Sequence, residues 1–310
     1  MKEPSIKNIA ASVRQRLLNK ARKTNRPFSE VLQYFAMERF LYRLSLSPHA
    51  DKFVLKGALM LTVWEAPLSR PTMDIDLLGR TDNSIDGIVD MIRSVCFLEE
   101  HAQDGIVFDA DSVIGERITE DADYEGVRVR FQGSLDTARF SMQLDIGFGD
   151  TVVPQAGPID FPTILELPGP RLLGYSMEST IAEKFEAMVK LGLLNSRMKD
   201  FYDILILSRQ FDFDGHTLSE AVRTTFLTRG TAISATPTAL TDDFATDASK
   251  GAQWKAFLQK NRFANMPEDF RETAGAIKTF LGPIAGSLSN NQKFSMIWKA
   301  PGSWRNRNKV

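Results

Sequence analysis

The chain is poor in the residues that disulfide scaffolds and thiolate metal sites require. Its 310 residues hold one cysteine, Cys96. A single thiol excludes an intramolecular disulfide framework and a Cys-rich zinc site. It fits a reducing cytosol, so a cytoplasmic protein is expected. Histidine is equally scarce: His49, His101 and His216 stand far apart, which disfavours a multi-His metal centre. Apolar runs are short and interrupted, so no transmembrane span is expected. The first residues, MKEPSIKNIAASVRQRLL, lack an apolar stretch of signal-peptide length, so secretion is not expected. No repeat and no low-complexity block is visible. The formal net charge of -1 argues, taken globally, against a strongly basic nucleic-acid binder. What remains is ordinary globular composition, with length for roughly two domains at about 150 residues each.

The near-zero total hides a segregation of charge. Residues 1–24 carry seven bases (Lys2, Lys7, Arg14, Arg16, Lys20, Arg22, Lys23) against one acid, Glu3. Residues 82–125 carry thirteen acids and two bases, Arg93 and Arg117. The last 24 residues have no acid; Lys293, Lys299, Arg305, Arg307 and Lys309 are interleaved there with Trp298 and Trp304. Bases beside aromatics can hold phosphates and stack bases. The alternative is solvated helix faces and a frayed tail. The acidic run over 99–125 reads as solvated surface.

Hydrophobic periodicity predicts helices over 5–24 and 28–46, the first with Ile6, Ile9, Val13 and Leu17 on one stripe. A short strand, Phe53-Val54-Leu55, runs into Lys56-Gly57-Ala58 and a short helix over 58–65. Ser69-Arg70-Pro71-Thr72 reads as a turn and Met73–Leu78 as a strand. A helix follows over 84–98, then strands near 106–109, 126–132 and 138–147. Helices and strands are mixed, with antiparallel hairpins late in the sheet, an α/β (α+β) arrangement. The stretch 153–176 is rich in proline and glycine and reads as a linker with short strands. The boundary expected there divides 1–155 from a mostly helical 156–310. Ser176 is a candidate N-cap for a helix to about 195. Further helices are expected over 197–210, 217–228, 249–260 and 267–281, with a loop over 229–248.

The sharpest local feature is Asp74-Ile75-Asp76. On a strand, residues two apart share a face, so both carboxylates project together while Ile75 turns to the core. Two like charges so close resist ionisation unless a cation compensates, and a divalent cation such as Mg²⁺ does this with oxygen ligands. Two features strengthen that reading. Gly57, seventeen residues earlier, stands at a strand-to-helix turn where a backbone can approach a ligand closely. In the alternating strand Phe140–Gly147, Asp145 shares a face with Ser141 and Gln143, opposite Met142, Leu144 and Ile146. Three carboxylates on neighbouring strands could hold two metal ions, neutralise a triphosphate and activate an attacking hydroxyl.

A glycine turn, a D-x-D and a later third Asp resemble the nucleotidyltransferase superfamily with the polymerase-β-like fold. That family usually has Gly-Gly or Gly-Ser; here the pair is Gly57-Ala58, which removes a hydroxyl but keeps backbone N–H contacts. Closer still, Phe53–Gly57 followed by Arg70-Pro71-Thr72-Met73-Asp74-Ile75-Asp76-Leu77 resembles the AbiEii-type toxin family. So do Met37–Leu44, Ile181–Met188 and Arg197-Met198-Lys199-Asp200-Phe201-Tyr202-Asp203-Ile204. The resemblance spans about residues 5–210; the last hundred residues carry no motif of it. Position alone leaves Lys184 either snorkelling or paired with a carboxylate or phosphate. The resemblance implies that it faces the nucleotide phosphates. The alternative for Asp200 and its neighbours is ordinary helix ion pairing, including Arg197–Asp200 at i,i+3. The resemblance implies a catalytic role for Asp200, either orienting Lys184 or acting as general base, with Asp203 supporting the site.

The expectation is therefore an Mg²⁺-dependent nucleotidyltransferase with an NTP as donor and pyrophosphate as leaving group. Its first domain would be polymerase-β-like with a mixed sheet; its second, mostly helical, would contribute Lys184 and Asp200. Asp74, Asp76 and Asp145 would bind metal, two Mg²⁺ ions in all. Lys56, Gly57, Ala58, Arg70 and Lys184 would face phosphate, Arg70 alternatively anchoring its turn. The resemblance implies a toxin of a bacterial toxin–antitoxin system, with a DNA-binding antitoxin encoded nearby, and addition of nucleotides to the 3′ end of tRNA; a monomer is expected. Modification of a protein or a small molecule, and a catalytically degenerate binder of RNA or a partner, stay open.

Overall fold

The computed structural model describes residues 6–66, 72–98, 103–120, 124–263 and 266–307. The chain forms two compact units, neither continuous in sequence. The first takes residues 1–65, 71–149 and 157–174; the second takes 66–70, 150–156 and 175–310.

The first unit opens with α1 (Ile6–Thr24) and α2 (Phe28–Leu46), followed by β1 (Phe53–Lys56), α3 (Ala58–Val63), β2 (Ile75–Gly79) and α4 (Ile85–Cys96). Three long strands come next: β3 (Ile106–Glu120), β4 (Tyr124–Leu135) and β5 (Ala138–Phe148). Two short ones, β6 (Gly157–Asp160) and β7 (Arg171–Gly174), complete a seven-stranded mixed sheet in the order β3-β4-β5-β2-β1-β7-β6. β2 pairs parallel with β5, and β1 parallel with β7; the other pairs are antiparallel. Ile75, Leu77, Val127, Val129, Leu144 and Ile146 are fully buried, which fixes the face opposite to theirs as the polar one. Cys96 is buried at the end of α4, and desolvation pushes its thiol up to about 12.

Three sequence expectations need correction here. The strand expected near 106–109 runs to Glu120, because a bulge between Asp109 and Ile114 lets pairing with β4 resume. The acidic run is not all solvated surface: Asp104 is buried, and its carboxylate takes the Arg43 guanidinium at 3.1 Å. The boundary expected at 155/156 falls inside no linker, because Gly157–Gly174 belongs with the sheet. Its proline-rich middle is pinned to α2: the Glu38 carboxylate accepts the Ile164 N–H at 2.6 Å, and Arg39 donates to the Pro168 carbonyl at 2.8 Å. Glu38, Arg39 and Arg43 are all buried, so each needs these partners. Desolvation raises the Glu38 carboxyl pKa, and the adjacent Arg39 opposes that rise.

The second unit holds α5 (Met177–Leu191), α6 (Met198–Gln210), β8 (Phe213–Asp214), α7 (Gly215–Thr228), α8 (Asp242–Thr246), α9 (Ala248–Asn261) and α10 (Phe270–Ser289). A terminal hairpin, β9 (Ile297–Lys299) and β10 (Ser303–Arg305), pairs with β8. Ser176 caps α5, its hydroxyl accepting from the Ser179 N–H, a bond worth about 1 kcal/mol. α10 passes beyond the expected residue 281 through Pro283, because Ile284, Ala285 and Leu288 keep its inner face buried.

Up to Arg307, the described part of the tail is packed rather than frayed, with Trp298 turned inward. Trp298 is buried, its indole N–H donating to the Ser208 carbonyl at 2.6 Å. The Trp304 ring lies on Phe280 and Phe294, and its N–H donates to the Phe280 carbonyl. Lys299 pairs with Asp212 and Arg307 with Asp214. Lys309 lies outside the described residues. Elsewhere in this unit Arg229, just past α7, gathers Asp150, Glu183 and Glu186 at 3.1, 3.2 and 3.1 Å. No described helix is long and apolar enough to cross a membrane.

Candidate functional site

The carboxylates are brought together by strand register. Lys56 on β1 stands opposite Asp76 on β2, and Asp76 beside Asp145 on β5. Asp145 in turn stands opposite Arg128 on β4, and Arg128 opposite Glu116 on β3. Directly paired residues share a face, so one charged row crosses five strands. Asp74 precedes β2. Thr72, itself buried, donates its hydroxyl to the Asp74 carboxylate. The approach to β2 is fixed from α2, where the buried Gln33 amide donates to the carbonyls of Met73 and Ser141.

Carboxylate oxygens of Asp74, Asp76 and Asp145 lie within 4.8 Å of one another. Gly57 packs against Asp76. Its φ of +71° excludes most side chains, and a Cβ there would sit 1.9 Å from Asp76 Oδ2. The glycine therefore makes the cradle in which the Asp76 carboxylate rests. An all-oxygen donor set of three acids, without histidine or thiolate, suits a hard divalent cation. The cluster could hold one.

Asp145 already has a cation on it. Arg128 donates from Nε to Oδ1 and from a terminal nitrogen to Oδ2, both at 2.7 Å. Hydrogen bonding to Asp145 is the main cause of a raised Arg128 pKa. Gln143 approaches Asp145 Oδ2 at 3.4 Å, and Arg130 links Gln143 to Glu116. Sequence reasoning missed Arg128. The signal was present in Val127-Arg128-Val129-Arg130-Phe131, whose alternation puts both arginines on the face opposite the valines. Pairing with β5 selects which acid each one meets.

Of the other candidates in this unit, Lys56 is half-buried at the end of β1 and Ala58 is buried at the start of α3. α3 has six residues, so its dipole is small and its contribution to anion binding reduces to free N–H groups. Arg70 lies outside the described residues.

In the second unit, Lys184 on α5 reaches Asp200 Oδ1 and Asp203 Oδ2 on α6, each at 2.8 Å. Arg197 takes Asp200 Oδ2 at 3.0 Å. Asp200 and Asp203 are fully buried, and Lys184 is partly exposed at 13%. Burial would raise the Asp200 pKa, but Lys184 and Arg197 outweigh it and hold it below the usual carboxylate range. The connection between α5 and α6 is fastened by Lys250, a residue with no sequence signal. Its ammonium donates to the carbonyls of Leu193 and Asn195, both at 2.8 Å.

Residues 39–276 match the family described as "Nucleotidyl transferase AbiEii toxin, Type IV TA system". No curated protein matches the chain. Among solved structures, it is similar to MenT4, a nucleotidyltransferase toxin from Mycobacterium tuberculosis H37Rv. That match has 17% identity and TM-score 0.46, covering 90% of this chain and 98% of that one. It is also similar to JHP933 from Helicobacter pylori, at 14% identity and TM-score 0.46, covering 84% and 92%. At these scores the structures add nothing to the family match.

Proposed function

The chain belongs to the AbiEii nucleotidyltransferase toxin family of type IV toxin–antitoxin systems, and from that premise we propose that it transfers nucleotides from an NTP to the 3′ end of tRNA with Mg²⁺, and so blocks translation. The observation that carries the chemistry is the convergence of Asp74, Asp76 and Asp145. These three would hold Mg²⁺, two ions in the full site. Bound there, the metal supplies charge neutralisation of the triphosphate and lowers the pKa of the attacking hydroxyl. Thr72 fixes the Asp74 carboxylate. Gly57 leaves its backbone open to phosphate, with Lys56 and Ala58 beside it, and Arg70 is kept as a further phosphate contact. Lys184 is the proposed cation for phosphate oxygens. With one oxygen on Lys184 and the other on Arg197, and its pKa lowered, Asp200 suits orienting Lys184 better than accepting a proton. Asp203 shares that task.

The tRNA acceptor is supported locally by α1, which carries no acid and exposes Arg16, Lys20, Arg22 and Lys23. Phosphate contacts of this kind position a nucleic acid without reading sequence. A DNA-binding antitoxin encoded nearby, a cytoplasmic site of action and a monomeric toxin complete the reading.

Incubation with each labelled NTP, Mg²⁺, tRNA and a protein extract tests it. Label is expected at the tRNA 3′ end, lost in Asp76→Ala. Label only on protein or on a small molecule would exclude tRNA as acceptor. Toxicity that survives Asp76→Ala would point to a binding protein without transfer.

A further inference from the structure

Three carboxylates with oxygens within 4.8 Å repel one another unless positive charge is nearby. Arg128 supplies such a charge from within the sheet. It is fixed in register opposite Asp145, and its flanking Val127 and Val129 are fully buried on the other face, so the strand cannot turn it away. Its fork covers both oxygens of Asp145. Asp145 is therefore a shared ligand: the same two oxygens serve an arginine and would serve a cation. Parallel N–H···O bonds give such a fork strength and direction together.

We propose that Arg128 is a positioning residue of the transfer site, holding the Asp145 carboxylate beside Asp74 and Asp76 while competing with the divalent cation for its oxygens. The proposal rests on the divalent-metal reading given above. In the cation-free protein, Arg128 keeps the third carboxylate in place and neutralised. Cation binding then requires Asp145 to give up, or share, the fork. Arg128 would thereby weaken cation affinity in the absence of nucleotide.

The test is Mn²⁺ binding by the full chain without nucleotide, followed by the electron paramagnetic resonance signal of free Mn²⁺. Arg128→Gln removes the competing charge and is expected to bind Mn²⁺ roughly tenfold more tightly than wild type. Arg128→Lys, whose ammonium is a point charge without the fork, is expected to fall between the two. The Lys variant decides the matter alone if the Gln variant does not fold: tightening supports competition, and none overturns it. Adding Asp145→Asn to Arg128→Gln should abolish the gain, because the gain acts through that carboxylate. A purely structural Arg128 would change the melting temperature and leave Mn²⁺ affinity alone. Equal or weaker affinity in Arg128→Gln, with wild-type binding still lost in Asp74→Asn, overturns this proposal only. Absence of Mn²⁺ binding in all variants overturns the metal reading with it.

Discussion

Gly57 has no space for a side chain, and this is a demand of the Asp76 carboxylate as much as of the backbone. Gly57→Ala is expected to cost about 1–3 kcal/mol in backbone strain. It should also displace Asp76, so that transfer falls far more than stability does; a melting curve beside the transfer assay separates the two. Asp200 gives a pH prediction. Its folded pKa lies below its unfolded one, so the stability it contributes is present above the unfolded pKa. That stability is lost as pH falls through the folded pKa. Asp200→Asn should therefore be less stable than wild type at neutral pH, with the difference shrinking in strong acid, as read by urea midpoints across pH. Asp76 and Gly57 were legible because strand alternation and glycine geometry are local; Asp74, expected on the same strand, stands one residue before it and is fixed by Thr72 instead. Arg128, Thr72 and Lys250 were not, because each acquires its partner only through pairing or packing with a distant segment.

The elements tell the same story with a different emphasis. α1, α2, α5 and α6 lie close to their expected ranges because periodicity and caps are written along the helix itself. β6 and β7 look like linker in sequence, since proline and glycine dominate there. They join the sheet because β1 offers a parallel edge to β7, while Glu38 and Arg39 hold the segment between them. The hairpin β9–β10 looked like a basic tail with stacking aromatics, yet its tryptophans close the core of the second unit. Trp298→Ala should cost about 3–5 kcal/mol, measured as a shift in urea midpoint. Phe at that position should recover part of the loss, while lacking the N–H that meets Ser208. A tryptophan used for base stacking would instead lower RNA affinity with little change in midpoint.

Across the molecule, the net charge of -1 is a poor guide to where charge acts. The row Lys56, Asp76, Asp145, Arg128 and Glu116 places cations and acids side by side across five strands. Binding a cation there should stabilise the native state by about 2.7 kcal/mol at a hundredfold excess over Kd. Mn²⁺ is expected to raise the thermal midpoint of the wild type and to leave that of Asp74→Asn/Asp76→Asn unmoved. The second unit has its own concentration of charge at Arg229, whose guanidinium is spent on three carboxylates and whose pKa they raise. A protease such as trypsin recognises arginine by drawing that side chain into a pocket of its own. Native Arg229 cannot be offered to it without breaking its ion pairs with Asp150, Glu183 and Glu186, so this bond should resist digestion although it follows the end of a helix. A cut after Arg229 would then report the opening of the unit rather than the exposure of a loop.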